Sequence, residues 1–277
     1  MTAHRIGRAV SYAVMILIGL VAAAPFVYLL ILSFKSRIDV LTVPPTLSFD
    51  WAQIKSNYGN VIHEQGYLTF IENSTIVTGV STLIALALGV PAGYAFSRLR
   101  FRGSDTLAST ILSFRFMPPV AVAIPIFLMI RYLGLVDGYL GLILPYVAFS
   151  LPLVVWIMIG FFDEIPREID EAAMVDGLTR PLVLVRVLLP LARPGMLVAA
   201  TFGVIFVWNE FLVGLYIVNS QGHWTIPIAA SSLLTVESPI DWNVAAATGI
   251  FTVVPILLFS IVVQRYIVRG ITAGAVR

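Results

Sequence analysis

From Ser11 to Ser33 the chain carries no charged side chain, SYAVMILIGLVAAAPFVYLLILS. About 20 apolar residues cross the ~30 Å of hydrocarbon in a bilayer as one helix, so this run is long enough to span it. It follows the basic opening MTAHRIGR, as the core of a secretory leader would. Its length exceeds the roughly 7 to 15 residues of such a core, and nothing after it reads as a soluble domain, so a retained first helix is expected.

Five further apolar runs follow, at Phe70–Phe96, Thr106–Ile130, Tyr139–Phe161, Gly195–Ile217 and Trp242–Val268. Composition agrees, since 59% hydrophobic residues and a mean hydropathy of +0.95 lie outside the range of soluble domains. The expected fold is an all-α polytopic membrane protein with six transmembrane helices in a single transmembrane domain over residues 1–277. Proline stands inside the runs at Pro91, Pro118, Pro119, Pro125, Pro145, Pro152 and Pro255. Membrane helices tolerate it where neighbours satisfy the freed carbonyls, which implies a packed and kinked bundle.

Charge sets the orientation. Arg5 and Arg8 precede the first run, Arg98, Arg100 and Arg102 follow the second, and Arg265, Arg269 and Arg277 lie at the end of the chain. With six alternating helices these fall on one side, together with Arg167, Arg180, Arg186 and Arg193. The last loop on the other side, Asn219–Asp241, has no lysine or arginine. The positive-inside rule then makes both termini cytoplasmic. Separated arginine clusters between apolar runs explain the net charge of +2 without nucleic acid. The chain has no cysteine, and His4, His63 and His223 are scattered at no ligand spacing, so no metal site is expected.

One polar stretch interrupts the pattern, residues 163–194. It reads as two short helices. Pro166 suits the first turn of PREIDEAAMVD, where Glu168, Asp170 and Glu171 oppose the helix dipole, and Gly177 stands where a left-handed cap is wanted. TRPLVLVRVLLP then starts a second helix, with Thr179 as N-cap and Pro190 as its stop. Ile169, Ala172, Ala173 and Val175 offer an apolar ridge. From pattern alone this elbow is either a docking element or a helix pair lying in the headgroup plane.

Glu171, Ala172, Ala173, then Gly177, Val187, Leu189 and Pro190, closely resemble the EAA motif of ABC importer permeases, with valine for the usual isoleucine. WNEF at Trp208–Phe211, NS at Asn73 and Ser74, and the tail RYIVRGITAGAVR extend the resemblance to the MalG-type subunit of carbohydrate importers. The resemblance implies the type I (MetI-like) permease fold and a transmembrane half paired with a second permease subunit. It also implies two cytoplasmic ABC ATPase subunits and an extracytoplasmic solute-binding protein. Glu171, Ala172, Ala173, Asp176, Gly177 and Pro190 would form the ATPase-coupling element. No GxxxxGK[ST] occurs in the chain, so the subunit is expected to be no enzyme and to bind no cofactor, with ATP and Mg at the partner ATPases.

Two ionisable residues fall well inside the runs. Arg115, about nine residues or ~14 Å into the third, is expected near the midplane. It either bonds carbonyls freed by Pro118 and Pro119, pairs with Glu210, or lines the solute path. Trp208, Asn209 and Glu210 suit a sugar, with an apolar face and an edge of hydroxyls, and equally suit contacts between helices. Gln221, Gly222 and His223 are the expected tip of the segment that, by the resemblance, touches the binding protein; Trp224 and Trp242 read as interfacial anchors. The leading reading is a sugar permease. An ion-coupled secondary transporter of a small polar solute is the alternative, which inverted repeats would favour and none are seen; an intramembrane enzyme lacks a nucleophile and base.

Overall fold

The computed structural model describes residues 2–42, 49–64, 66–99, 101–233 and 241–275. Every regular element among them is helical. In chain order these are α1 (Thr2–Ser33), α2 (Arg37–Leu41), α3 (Trp51–Gly59, continued by a π-helical turn Asn60–Glu64), α4 (Tyr67–Arg98), α5 (Ser104–Ser113, continued by a 3-10 turn Phe114–Phe116), α6 (Pro119–Tyr132) and α7 (Tyr139–Asp163). Then come α8 (Arg167–Val175), α9 (Arg180–Val183, continued by a π-helical turn Leu184–Leu188), α10 (Leu189–Leu191), α11 (Arg193–Trp208), α12 (Leu212–Ile217), α13 (Ile226–Ser232) and α14 (Trp242–Ala275). They cluster into two compact units, one of residues up to Leu68 with Ala230–Pro255, the other of Thr69–Ala229 with residues from Ile256 onward.

In the first unit α1 is apolar all round from Val10 onward. Its residues 10–28 are all exposed within the chain, as suits a helix whose surroundings are lipid or another subunit, and burial begins only towards its C-terminal end, where Ser33 is fully buried. Its C-terminal end is held by one amide. Asn57 Nδ2 donates to the carbonyls of Ser33 and Lys35 at 2.9 and 2.8 Å, and its Oδ1 accepts from Gln53 and Asn243. The buried Asn57 thus satisfies a carbonyl that a helix terminus leaves without an intrahelical partner.

In the second unit α4 and α7 approach closely because Gly89 and Gly93 line one face of α4. A β-carbon on Gly89 would sit 2.6 Å from Val154 Cγ1, and one on Gly93 2.7 Å from Met158 Cβ, so both helices depend on the missing side chains. Around this seam Tyr94, Phe162, Val183 and Leu188 form one buried cluster. A second gathers Val77, Leu142, Tyr146, Val207 and Ile217.

Four helical stretches are long and apolar enough to cross a membrane, namely Val10–Ser33, Tyr67–Arg98, Tyr139–Asp163 and Trp242–Gln264; two bent pairs raise the number to as many as six. Of these pairs, Arg180–Leu191 with Arg193–Trp208 turns by 79° and α5 with α6 by 97°. The third expected span, Thr106–Ile130, is therefore two helices. Single prolines pass inside α4, α6, α7 and α14, but the tandem Pro118–Pro119 removes two successive N–H donors. Each proline also forces its predecessor out of the helical region, leaving Met117 at ψ 128 and Pro118 at ψ 126. The fifth expected span, Gly195–Ile217, is likewise interrupted, with α11 ending at Trp208 and α12 beginning at Leu212.

Candidate functional site

The elbow is anchored at its root by charge. Asp170, expected only to oppose the helix dipole, turns inward and meets Arg98 at the end of α4 with Nε–Oδ2 2.7 Å; their side chains are 10% and 6% exposed. Arg98 donates further to the Ile165 carbonyl at 2.8 Å, Arg167 donates to the Ser97 carbonyl at 3.0 Å, and the Ser97 hydroxyl donates to Asp163. Pro166 lies one position ahead of the first turn, at the N-cap, so α8 starts at Arg167.

At the other end α8 stops as its glycine requires. Gly177 has φ +88, its N–H donates to the Met174 carbonyl, and the Leu178 N–H reaches back to Ala173 at 3.1 Å. This is a Schellman closure, completed by Leu178 packing on the cluster that buries Ala173. Thr179 takes the N-cap position of α9, but its side chain makes no cap bond. Pro190 is not the stop that was expected. The π-helical turn before it loosens the spacing that a proline disturbs, helix continues to Leu191, and the bend falls at Ala192. The apolar ridge is also divided: Ala173 is buried and Ile169 half-buried against the chain itself, whereas Glu171, Ala172, Met174, Val175, Asp176 and Gly177 are exposed, as is Pro190. The helical period places residues 169 and 173 on one face and 171, 174 and 175 on the other.

The polar residues of WNEF occupy the interruption between α11 and α12. Asn209 Nδ2 donates to the Ile205 carbonyl at 2.7 Å, closing α11, while Glu210 accepts from the N–H groups of Val213 and Gly214 at 2.9 and 3.2 Å, opening α12. Trp208 is buried and its indole N–H has no hydrogen-bond partner among the described residues; Asn209 is exposed. Arg115 does not pair with Glu210. Its guanidinium carbon lies 4.2 Å from the centre of the Phe206 ring, and among the described residues it has neither an ion pair nor a hydrogen bond, to the carbonyls freed by the prolines or to any other group.

A third feature gathers on the turn Asn219–Thr225. Asp137 Oδ1 accepts from the Asn219 N–H, the Ser220 N–H and the Ser220 hydroxyl at 3.1, 2.9 and 2.9 Å. The Ser220 hydroxyl also meets His223 Nδ1 at 3.2 Å. Asn73 Nδ2 donates to the carbonyls of Gly222 and Trp224, Tyr139 donates to Asn73 Oδ1 at 2.7 Å, and the Ile226 N–H donates to Ser74 Oγ at 2.8 Å. Both members of the NS pair thus hold this turn against α4. Gln221 and Gly222 stay exposed at its tip, with His223 half-buried edge-on to Tyr139.

Hydrogen bonds from the Ser220 backbone N–H, the Ser220 hydroxyl and the Asn219 N–H, with nearby His223, hold the Asp137 carboxyl below its ordinary range, against a smaller opposing effect of burial. A depressed carboxyl stabilises the fold above its unfolded value of about 3.9 and loses that contribution as pH falls through the folded value. Amide exchange at Asn219 and Ser220, taken relative to intrinsic rates, is therefore expected to be flat from about pH 5 to 8 and to rise below about 4. Asp137→Asn, which keeps a residue that tolerates the φ of 61 found here, should show the faster exchange at neutral pH.

Comparison with known proteins places these features in a family. A profile for the binding-protein-dependent transport system inner membrane component matches residues 85–273. The chain belongs to this family of ABC transport permeases. The permease is 30% identical over 264 residues to a trehalose/maltose transport system permease protein of Thermococcus litoralis, covering 95% of this chain and 94% of the relative. It is 31% identical over 253 residues to a sulfoquinovosyl glycerol transport system permease protein of Agrobacterium fabrum, covering 91% and 88%. Its fold matches a chain of a bacterial ABC transporter involved in the import of the acidic polysaccharide alginate, with TM-score 0.79, 24% identity and coverage of 96% and 98%. The permease fold expected from the EAA motif is the one found.

Sequence reasoning missed Arg98 and Asp170 as partners and the capping roles of Asn209 and Glu210. The interruption itself had a sequence signal, two polar residues in an apolar run. Of the tail, helical backbone continues to Ala275, while residues 276 and 277 lie outside the described residues, as do 234–240 of the last loop.

Proposed function

We propose that this chain is the transmembrane subunit of an ABC importer that carries a sugar or sugar-like solute across the cytoplasmic membrane by alternating access, with both termini cytoplasmic and its six apolar spans acting as one domain. The elbow supports this reading best: an anchored root, a Schellman closure and an exposed edge of Glu171, Ala172, Met174 and Val175 suit a helix moved as a rigid body. In this reading α8 enters a cleft in an ATPase subunit, and the pair of ATPases, holding ATP and Mg, closes on nucleotide and tips the spans outward. A second permease completes the path, and Gln221, Gly222 and His223 meet the solute-binding protein. Sugar as the class follows the relatives, whose named solutes are neutral in one case and acidic in others.

Uptake into proteoliposomes holding the assembled transporter should need ATP, and uptake driven by an ion gradient without ATP would establish the secondary carrier instead. Glu171→Ala removes a carboxylate placed for a charge-assisted bond to the ATPase. Uptake per ATP hydrolysed is expected to fall about tenfold or more in an intact complex.

A further inference from the structure

Among the described residues Arg115 has no anion beside it, and unlike Arg102, Arg131, Arg167, Arg180, Arg186 and Arg193, which also lack an ion pair, it stands inside an apolar run. It stands in the 3-10 turn between α5 and α6, between Phe114 and Phe116, which are 59% and 81% exposed, and is itself turned onto Phe206. The nearest sequence-level candidate for a counter-charge, Glu210, is bound by the amides of Val213 and Gly214. The surroundings add positive potential. α6 begins at Pro119 with no side-chain cap and no acid in its first turn; Pro118 and Pro119 bring no N–H and the Ala121 N–H donates to the Pro118 carbonyl, so what this end adds is the positive end of the helix dipole a few residues from Arg115. Asn209, one turn beyond Phe206 and exposed, uses its Nδ2 on Ile205 and leaves Oδ1 to accept from a hydroxyl.

A guanidinium inside an apolar span is costly unless something answers its charge, and its planar fork matches a carboxylate or sulfonate with two parallel hydrogen bonds. An aromatic face beneath it holds the fork flat and leaves its edge free. We propose that Arg115, stacked on Phe206 beside the positive end of α6, is a specificity-determining anion site in the solute path, and that the solute is an acidic sugar, bearing a carboxylate or sulfonate. The inference rests on the reading of the chain as an ATP-driven sugar permease.

The cognate binding protein tests the class first. It is screened by thermal shift against uronic-acid disaccharides, a sulfonated sugar glycoside and the neutral parent of each. Stabilisation by acidic members is expected. Stabilisation by neutral parents alone, or by no acidic member, overturns the proposal and leaves ATP-driven import of a neutral sugar standing, so the two readings fail separately.

The acidic sugar that binds is then used for uptake by the complete transporter in proteoliposomes. Arg115→Met is expected to raise the KM for uptake about ten- to a hundredfold in an assembled transporter; Arg115→Lys should lie between. Any uptake of the uncharged methyl ester or amide of the same sugar should be insensitive to both variants. If Arg115→Met fails to assemble, Arg115→Lys decides. A raised KM for the acid alone supports the site, and wild-type uptake by the lysine variant overturns it, because a bare charge then suffices to hold the helices. An unchanged KM in an assembled Arg115→Met transporter overturns it as well.

Discussion

Arg98→Met is expected to destabilise the permease by about 3–5 kcal/mol, the range for removing one partner of a buried ion pair. The loss comes chiefly from what is left behind. Asp170 would keep a buried carboxylate whose Oδ1 already has no hydrogen-bond partner among the described residues, and Oδ2 would lose the one it has. The Ile165 carbonyl would lose its donor at the same time, freeing the start of α8 from the end of α4. Arg98→Met together with Asp170→Leu removes both charges and should recover most of the stability, since two apolar side chains can replace a buried pair at little net cost. Thermal unfolding of the purified complex separates the two variants. Equal unfolding temperatures for wild type and Arg98→Met would show that the pair contributes nothing to holding the elbow.

How much of this could be read in the sequence divides by range. Gly177 announced its left-handed cap because the requirement is local, a residue without a β-carbon after an acidic amphipathic turn. The apolar runs announced helices for the same reason, and tandem Pro118–Pro119 carried a break that was read only as a kink. Arg98 and Asp170 lie in different elements, and nothing local distinguishes an arginine that orients a span in the bilayer from one that ties an elbow to it. Burial on the elbow was similarly hidden. Alanine at 172 and 173 looks alike in sequence, and only packing of α8 on Phe162, Val183 and Leu184 makes Ala173 core and leaves Ala172 outside. In the membrane runs periodicity is silent, because lipid-facing and protein-facing sides are both apolar. Polar exceptions carried the information, and Asn73, Ser74, Asn209 and Glu210 each prove to satisfy backbone groups at a turn or a helix end.

Gly177→Val should uncouple ATP hydrolysis from uptake with little loss of fold. A β-carbon there would meet no atom within 4 Å, so the site has room and the whole cost lies in the backbone at φ +88. For a β-branched residue that conformation costs about 1–2 kcal/mol or more, enough for the chain to relax toward negative φ. Relaxation breaks the Leu178 N–H bond to the Ala173 carbonyl, opens the closure, and lets α8 change its angle to α9. The Arg98 anchor at the root of α8 is untouched, so the subunit should still assemble. Its exposed edge then meets the ATPase at the wrong angle, and ATP turnover no longer moves the spans. Gly177→Asn is the control, because asparagine accepts left-handed φ at lower cost and should retain a substantial part of coupled uptake. The quantity to measure is solute imported per ATP hydrolysed in proteoliposomes, with assembly checked in the same preparation. The expected order is glycine, asparagine, alanine, valine, and the same ratio for valine as for glycine would mean that the angle at Gly177 does not transmit the stroke.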